Sequence, residues 1–287
     1  MNGVSSDGPP LAARAPVGGS DPHGVGERGG PVLWQAEAIW EAVSPLWPTF
    51  SVEILPEIDS TNTELMRRAR AGQLDPILLV AERQTAGRGR LGRDWKSDTE
   101  GLGGTLTFSL GVPLAPADWS GLSLAVGLSV VNSLHPNLRL KWPNDVWLEQ
   151  RKLAGILIET ASVGDVRYAV IGIGINITPR DAVDLRTPPA ALHELLPEAT
   201  APSVLASVVS PLAQAVQRFA TEGFGPLRTA FHARDLLYGQ AVVCSDGASG
   251  TARGVDASGA LLVHTENGLI KISSAEVSVR PAPAAPL

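Results

Sequence analysis

At 287 residues with 44% hydrophobic side chains, the chain can build one large domain, or a large one with a small companion. A net charge of −6 argues against bulk electrostatic attraction to nucleic acid, and the longest apolar runs fall far short of a membrane span. The single cysteine, Cys244, excludes an internal disulfide framework and fits a reducing cytosol; no charged-then-apolar leader opens the sequence, so a cytoplasmic protein is expected.

Residues 1–31 are rich in Gly, Pro, Ser and Ala without apolar period, and are predicted to be disordered because they cannot bury enough surface to offset their ordering entropy. Leu33, Ala36, Ile39, Trp40, Val43 and Leu46 have helical spacing, closed by Pro45 and Pro48; the two tryptophans of this helix, Trp34 and Trp40, are expected in the core. A weakly alternating strand over 51–58 leads to Asp59-Ser-Thr-Asn-Thr-Glu64, a helix start in which Thr61 and Glu64 read as a capping box and Gly72 as the residue past the end. Ser60, Thr61 and Asn62 either cap that helix or present hydroxyls and an amide to a polar ligand. A buried strand over 77–81 then runs into a loop.

That loop, Gln84-Thr-Ala-Gly-Arg-Gly-Arg-Leu-Gly-Arg-Asp-Trp95, alternates Gly87, Gly89 and Gly92 with Arg88, Arg90 and Arg93. Glycine lets backbone amides approach a ligand, and arginine adds planar donor forks matched to phosphate or carboxylate oxygens. A solvated turn, a dinucleotide fingerprint and an anion clamp compete. The fingerprint needs a helix opening at its third glycine, and Arg93-Asp-Trp-Lys-Ser-Asp98 has no helical period, so that reading fails.

Strands are predicted over 105–110 and 138–140, with a helix over 122–134 between them, stopped by His135-Pro136. Lys141-Trp-Pro-Asn-Asp145 follows, then Lys152-Leu-Ala-Gly155, a strand over 156–159 and another over 167–177 that carries Gly172-Ile-Gly-Ile-Asn176. With 19 arginines against four lysines, Lys152 and Lys141 stand out as places where a compact ammonium is wanted. Residues 178–203 read as irregular. Leu205, Val208, Val209, Leu212, Val216 and Phe219 mark a helix, kinked at Pro211, and a shorter helix covers 226–234. After Leu237, short alternating runs (241–244, 260–264, 269–273, 276–279) broken by Asp-Gly, Ser-Gly and Asn-Gly pairs predict a small β-barrel.

Lys141-Trp-Pro-Asn-Asp145 alone could be a strand-end turn. Together with Arg151-Lys-Leu-Ala-Gly-Ile-Leu-Ile-Glu159, the Gly/Arg loop before it and Gly172-x-Gly-x-Asn176 after it, the set closely resembles biotin–protein ligases, the biotin–[acetyl-CoA-carboxylase] ligase family. The resemblance runs from about Glu53 to Ile177, and more loosely through the C-terminal part. It implies an α+β fold: a mixed β-sheet flanked by helices, as in class II aminoacyl-tRNA synthetases, followed by an SH3-like barrel. The expected division is 1–31 disordered, 32–236 catalytic and 237–287 barrel.

The resemblance also implies chemistry. Biotin is activated by ATP, with magnesium on the triphosphate, to biotinyl-5′-AMP, and is then passed to a lysine of a biotin carboxyl carrier protein. Biotin would be bound by Ser60, Thr61, Asn62, Gln84, Arg88, Gly89, Arg90, Lys152 and Gly155, with Trp95 and strand 156–158 around its valeryl chain. Arg88, Arg90, Arg93, Trp95, Lys141, Asn144 and Asn176 would lie on the nucleotide side. Lys152, Arg90 and Asp145 are the expected catalytic residues, Asp145 orienting or accepting the incoming lysine's proton. Metal ligands are not indicated.

Many relatives add an N-terminal winged helix-turn-helix. Here 59 residues precede Ser60 and hold one convincing helix, so no DNA-binding role is expected. Residues 178–203 carry no aromatic residue to cover adenine, which leaves Val183 and Leu185 as aliphatic candidates. Relatives occur as monomers and homodimers. Two alternatives stand beside this reading: a lipoate–protein ligase, and a biotin-sensing nucleic-acid-binding regulator.

Overall fold

The computed structural model describes residues 33–96, 103–181, 187–273 and 279–281. The expected disorder of residues 1–31, the adenine-covering candidates Val183 and Leu185, and the start of the last predicted strand at Glu276 lie outside the described residues.

Leu33–Leu287 forms one compact unit. Its larger sheet takes seven strands: β1 (Ser51–Ile58), β2 (Ile77–Gln84), β3 (Thr105–Pro113), β4 (Arg139–Lys141), β5 (Asp145–Leu148), β6 (Arg151–Val163) and β7 (Val166–Asn176). They lie in the order β1-β2-β3-β7-β6-β5-β4, with β1 parallel to β2 and every other neighbouring pair antiparallel. The mixed sheet is as expected. Strand β6 is longer than the expected 156–159, because its pairing with β7 from Ala154–Ile175 through Val163–Val166 extends past the buried part, while β7 keeps the expected length, shifted by one residue.

Among the described residues, five α-helices accompany the sheet: α1 (Ala36–Val43), α2 (Thr61–Arg70), α3 (Leu122–Leu134), α4 (Ala201–Glu222) and α5 (Arg228–His232). Leu65, Met66 and Ala69 of α2 pack with Leu79, Tyr168 and Val170 on one sheet face. Helices α3 and α4 pack on each other, and α4 also meets β3. Three expectations need correcting. The cap of α2 is Ser60, whose hydroxyl accepts from Thr63 N; Thr61 is instead tied to Gln84. Trp34 is buried, but Trp40 stays 45% exposed because its indole N–H reaches outward to Phe50 O. Helix α4 begins at Ala201, inside the stretch read as irregular, since Thr200 Oγ1 accepts from Ser203 N as a cap. It continues as one element through Pro211.

The second sheet is antiparallel, β8 (Ala241–Cys244), β9 (Ser249–Val255), β10 (Leu261–Thr265), β11 (Gly268–Ile272) and β12 (Val279–Pro281), in the order β11-β10-β9-β8-β12, consistent with an SH3-like domain. Strand β9, with two glycines among its seven residues, escaped the sequence reading. The second sheet touches the first at the Lys141-Trp-Pro-Asn-Asp145 turn, where the buried Trp142 Nε1 donates to Gly259 O at 3.0 Å.

Candidate active site

Strand register assembles the site. Side chains on directly paired residues share a sheet face, and Thr107 of β3 pairs with Gly174 of β7, Gly174 with Gly155 of β6, Gly155 with Asp145 of β5, and Asp145 with Lys141 of β4. Five residues distant in sequence therefore form one row across the sheet. The parallel row Ser109–Gly172–Leu157 lies one step along. On this face the glycines leave room where side chains would stand. A Cβ on Gly174 would lie 2.3 Å from Trp95 Cε2, and one on Gly172 would lie 2.1 Å from Asn62 Oδ1.

The Gly/Arg loop folds back over those rows. Gly89 N donates to Arg93 O at 2.6 Å and Trp95 N to Gly87 O at 2.9 Å, with a turn at Leu91 and Gly92, both at positive φ. Trp95 thereby lies over Gly155 and Gly174, and its indole nitrogen is buried without a partner. Between loop and sheet lies a cavity of about 930 Å³.

Of the residues expected in the site, Ser60, Thr61, Asn62, Gln84, Arg88, Gly89, Arg90, Arg93, Trp95, Lys141, Asn144, Asp145, Lys152, Gly155, Ile156, Leu157 and Asn176 line this cavity, whereas Ile158 does not. Its charge is opposite to that of the whole chain. Among the described residues, Arg88, Arg90, Arg93, Lys96, Lys141, Lys152 and Arg180 line it, against Asp94 and Asp145.

At one end is a buried polar cluster. Thr61 N donates to Gln84 Oε1 at 2.8 Å, and Ser109 Oγ lies 2.7 Å from both Thr61 Oγ1 and Asn62 Oδ1. Asn62 Nδ2 donates to Glu159 Oε2 at 3.0 Å and to Leu157 O at 3.2 Å. The Arg88 guanidinium closes on the same Glu159 oxygen in an ion pair, so here it pins the loop's base to β6. At the middle, Lys152 Nζ is 2.8 Å from Asp145 Oδ1 and 5.9 Å from the Trp95 ring centre. Arg90 donates to Asn144 Oδ1 at 3.2 Å, and Asn144 Nδ2 donates to Ile156 O at 2.7 Å. Burial holds the Arg90 guanidinium below its ordinary range, Asp145 supports its charge and Arg93 opposes it. An anion placed between these arginines relieves that repulsion.

At the other end Asn176 Nδ2 donates to Ala190 O at 3.0 Å and to Lys152 O at 3.3 Å, while Arg180 reaches Asn176 Oδ1 and, at 2.8 Å, Lys96 O. Sequence reasoning missed Ser109, Glu159 and Arg180. Arg180 had a signal, as a guanidinium four residues past a glycine-strand asparagine. Ser109 sat inside a stretch read only as a strand, and Glu159 closed the Arg151–Glu159 motif without being given a role. No group of three or more His, Cys, Asp or Glu side chains that could hold a metal ion occurs among the described residues.

The profile of the Biotin/lipoate A/B protein ligase family matches residues 54–176, and that of the Biotin protein ligase C terminal domain matches residues 242–280. A bifunctional ligase/repressor, BirA, of Escherichia coli (strain K12) is 36% identical over 246 residues, 81% of this chain and 75% of that protein. A biotin–[acetyl-CoA-carboxylase] ligase of Paracoccus denitrificans is 34% identical over 237 residues, 78% of this chain and 98% of that protein. The biotin protein ligase of Aquifex aeolicus, solved in complex with biotin and ATP, superposes with a TM-score of 0.69 at 31% identity, covering 80% of this chain and 99% of that one. With the fold, the lidded cationic cavity and these likenesses in agreement, the chain belongs to the biotin protein ligase family.

Proposed function

We propose that this protein joins biotin to a lysine of a biotin carboxyl carrier protein or domain at the expense of ATP. Supporting this most directly is one cavity that holds a neutral polar cluster at one end and a group of cations at the other, bridged by an apolar floor under Trp95. Biotin has that profile: a neutral ureido ring, an aliphatic chain and a carboxylate. The ureido ring takes Ser60, Thr61, Asn62 and Gln84, and the chain lies along Gly155, Ile156 and Trp95. The carboxylate reaches Lys152 and the loop at Gly89 and Arg90.

In the first step a biotin carboxylate oxygen attacks the α-phosphorus of ATP. The bond to the β-phosphate bridging oxygen breaks and pyrophosphate leaves. Arg90 and Arg93 meet the phosphates, and Lys141, Asn144 and Asn176 form the nucleotide side. Magnesium travels on the triphosphate as part of the substrate; a protein cage is unnecessary when phosphates supply most ligands. In the second step a carrier lysine, as free amine, attacks the biotinyl carbonyl. The new C–N bond forms, AMP departs on its phosphate oxygen, and the surplus amine proton is lost. Lys152 stabilises the charge that develops on the carbonyl oxygen. Asp145, 2.8 Å from Lys152 Nζ, orients that ammonium in the resting site and is placed to take the amine's proton when the substrate engages Lys152. Arg88 acts through Glu159, as an anchor of the loop.

The catalytic part is taken as 32–236 and the barrel as 237–287. The Paracoccus relative, matched almost end to end, carries a ligase name alone, which favours a ligase without a DNA-binding role. No helix among the described residues is long and apolar enough to cross a membrane, in keeping with a cytoplasmic enzyme. The family profile also admits lipoate ligases. Lipoate's dithiolane offers no hydrogen-bond donors to the Thr61–Gln84 end, which favours biotin. The test is biotin-dependent exchange of labelled pyrophosphate into ATP, with lipoate in a parallel arm, followed by biotin transfer to a carrier domain. Exchange with lipoate and none with biotin overturns the reading.

A further inference from the structure

We propose that Glu159, which does not itself line the cavity, sets the hydrogen-bond polarity of the ureido end, making the Thr61 hydroxyl an acceptor reserved for a ligand N–H. This rests on reading the cavity as a biotin site. The chain of inference starts with the Asn62 amide, which could in principle point either way. Its Nδ2 position lies 3.0 Å from Glu159 Oε2 and 3.2 Å from Leu157 O. A carboxylate held against the Arg88 guanidinium and a backbone carbonyl both offer lone pairs only, so the NH₂ must face them. The charged partner makes this the stronger preference of the two.

Asn62 Oδ1 is then left facing Ser109 Oγ at 2.7 Å. An amide oxygen has no proton, so Ser109 must supply its single one there. The second 2.7 Å contact, between Ser109 Oγ and Thr61 Oγ1, now needs a proton from Thr61. Thr61 has a competing acceptor, Gln84 Oε1 at 3.2 Å, but that oxygen already receives Thr61 N–H at 2.8 Å. The shorter contact takes the hydroxyl proton. Thr61, which lines the cavity, therefore shows it lone pairs alone. A ligand that donates an N–H is accepted, and one without that proton meets lone pairs with its own.

Glu159 is thus a positioning residue for specificity. It also receives Arg88, at the base of the Gly/Arg loop, so the carboxylate that orients the ureido end is the one that anchors the lid. The network Glu159–Asn62–Ser109–Thr61 spans three elements, and the Glu159 charge, with the Leu157 carbonyl beside it, orients the amide from which each proton's place follows.

The experiment measures steady-state adenylation with biotin and with biotin methylated at both ureido nitrogens. It uses the full chain, Glu159→Gln and Ser109→Ala. The wild type should prefer biotin strongly. Both variants should raise the biotin KM roughly tenfold, the scale of one lost hydrogen bond, with kcat kept within about twofold. They should also shrink the preference over the methylated analogue by a similar factor, because the freed Thr61 proton can turn to the cavity. Ser109→Ala, which removes one oxygen and no charge, carries the test if thermal melting shows that Glu159→Gln fails to fold. A wild-type preference retained in the folded variants overturns the proposal, even where KM rises. A wild type that forms no adenylate from biotin overturns instead the reading of the site on which it rests.

Discussion

Replacing Arg90 by glycine removes the guanidinium that sits mid-lid. In the resting site that fork donates to Asn144 Oδ1 and lies between the attraction of Asp145 and the repulsion of Arg93. A bound acyl-adenylate would put a phosphate where that repulsion is relieved. The lost charged hydrogen bond is worth about 1.5–3 kcal/mol. Glycine adds chain freedom to a loop already turning at Leu91 and Gly92, a further ~0.5–1 kcal/mol. Together these give about 2–4 kcal/mol, or roughly 30- to 1,000-fold faster loss of the intermediate. Arg90→Met, which keeps the stem and drops the charge, isolates the first contribution at roughly 10- to 150-fold. The assay forms the adenylate from labelled biotin and ATP, removes free ligand, and times release without a carrier. Release within twofold of wild type in both variants refutes the clamp. Fast release from the glycine variant alone assigns retention to loop order rather than to charge.

Three other outcomes follow from the same geometry. Lys152→Ala should lower biotin-dependent pyrophosphate exchange by roughly 100-fold or more. Its melting temperature should barely move, because a partly exposed ion pair contributes about 0–1 kcal/mol; unchanged exchange removes Lys152 from the site. Gly174→Ala puts a Cβ 2.3 Å from the Trp95 ring, so it should raise the biotin KM at least tenfold and cost about 1–3 kcal/mol in urea denaturation. An unaltered biotin KM would show that the seat of Trp95 on Gly174 does not shape the biotin site. Burial pushes the Asp235 carboxyl up to about 6, and one of its oxygens is buried without a partner. Because the folded state binds this proton more tightly than the unfolded chain, its contribution is full below about pH 4 and is lost as pH rises through about 6. Relative to Asp235→Asn, the wild type should lose about 1–3 kcal/mol across that window. A difference in urea midpoints that stays flat from pH 4 to pH 7 contradicts this.

Local chemistry determined much of this protein in advance. The His135-Pro136 stop after an apolar run with small residues placed α3 at residues 122–134, and β1 and the α2 start came from alternation and a cluster of capping residues. The Gly/Arg loop, Lys141-Trp-Pro-Asn-Asp145 and Lys152 announced an anion site because their donor types match phosphate and carboxylate, whatever surrounds them. Composition misled in one respect: a net charge of −6 hid a cavity where, among the described residues, seven basic side chains face two acids, since summed charge says nothing about where charges lie.

Tertiary structure alone decided which residues meet. A period of two tells which side of a strand a residue is on, but not which residue stands beside it across a long loop. The register of four antiparallel pairings put Thr107, Gly174, Gly155, Asp145 and Lys141 in one row. It also explains why Gly174 is needed: Trp95 lies where its side chain would be. Ser109 looks like an ordinary strand residue, and Glu159, although it closes the Arg151–Glu159 motif, showed no partner in the sequence. Their meaning comes from Asn62, 47 and 97 positions away, which only the folded chain brings within hydrogen-bonding distance.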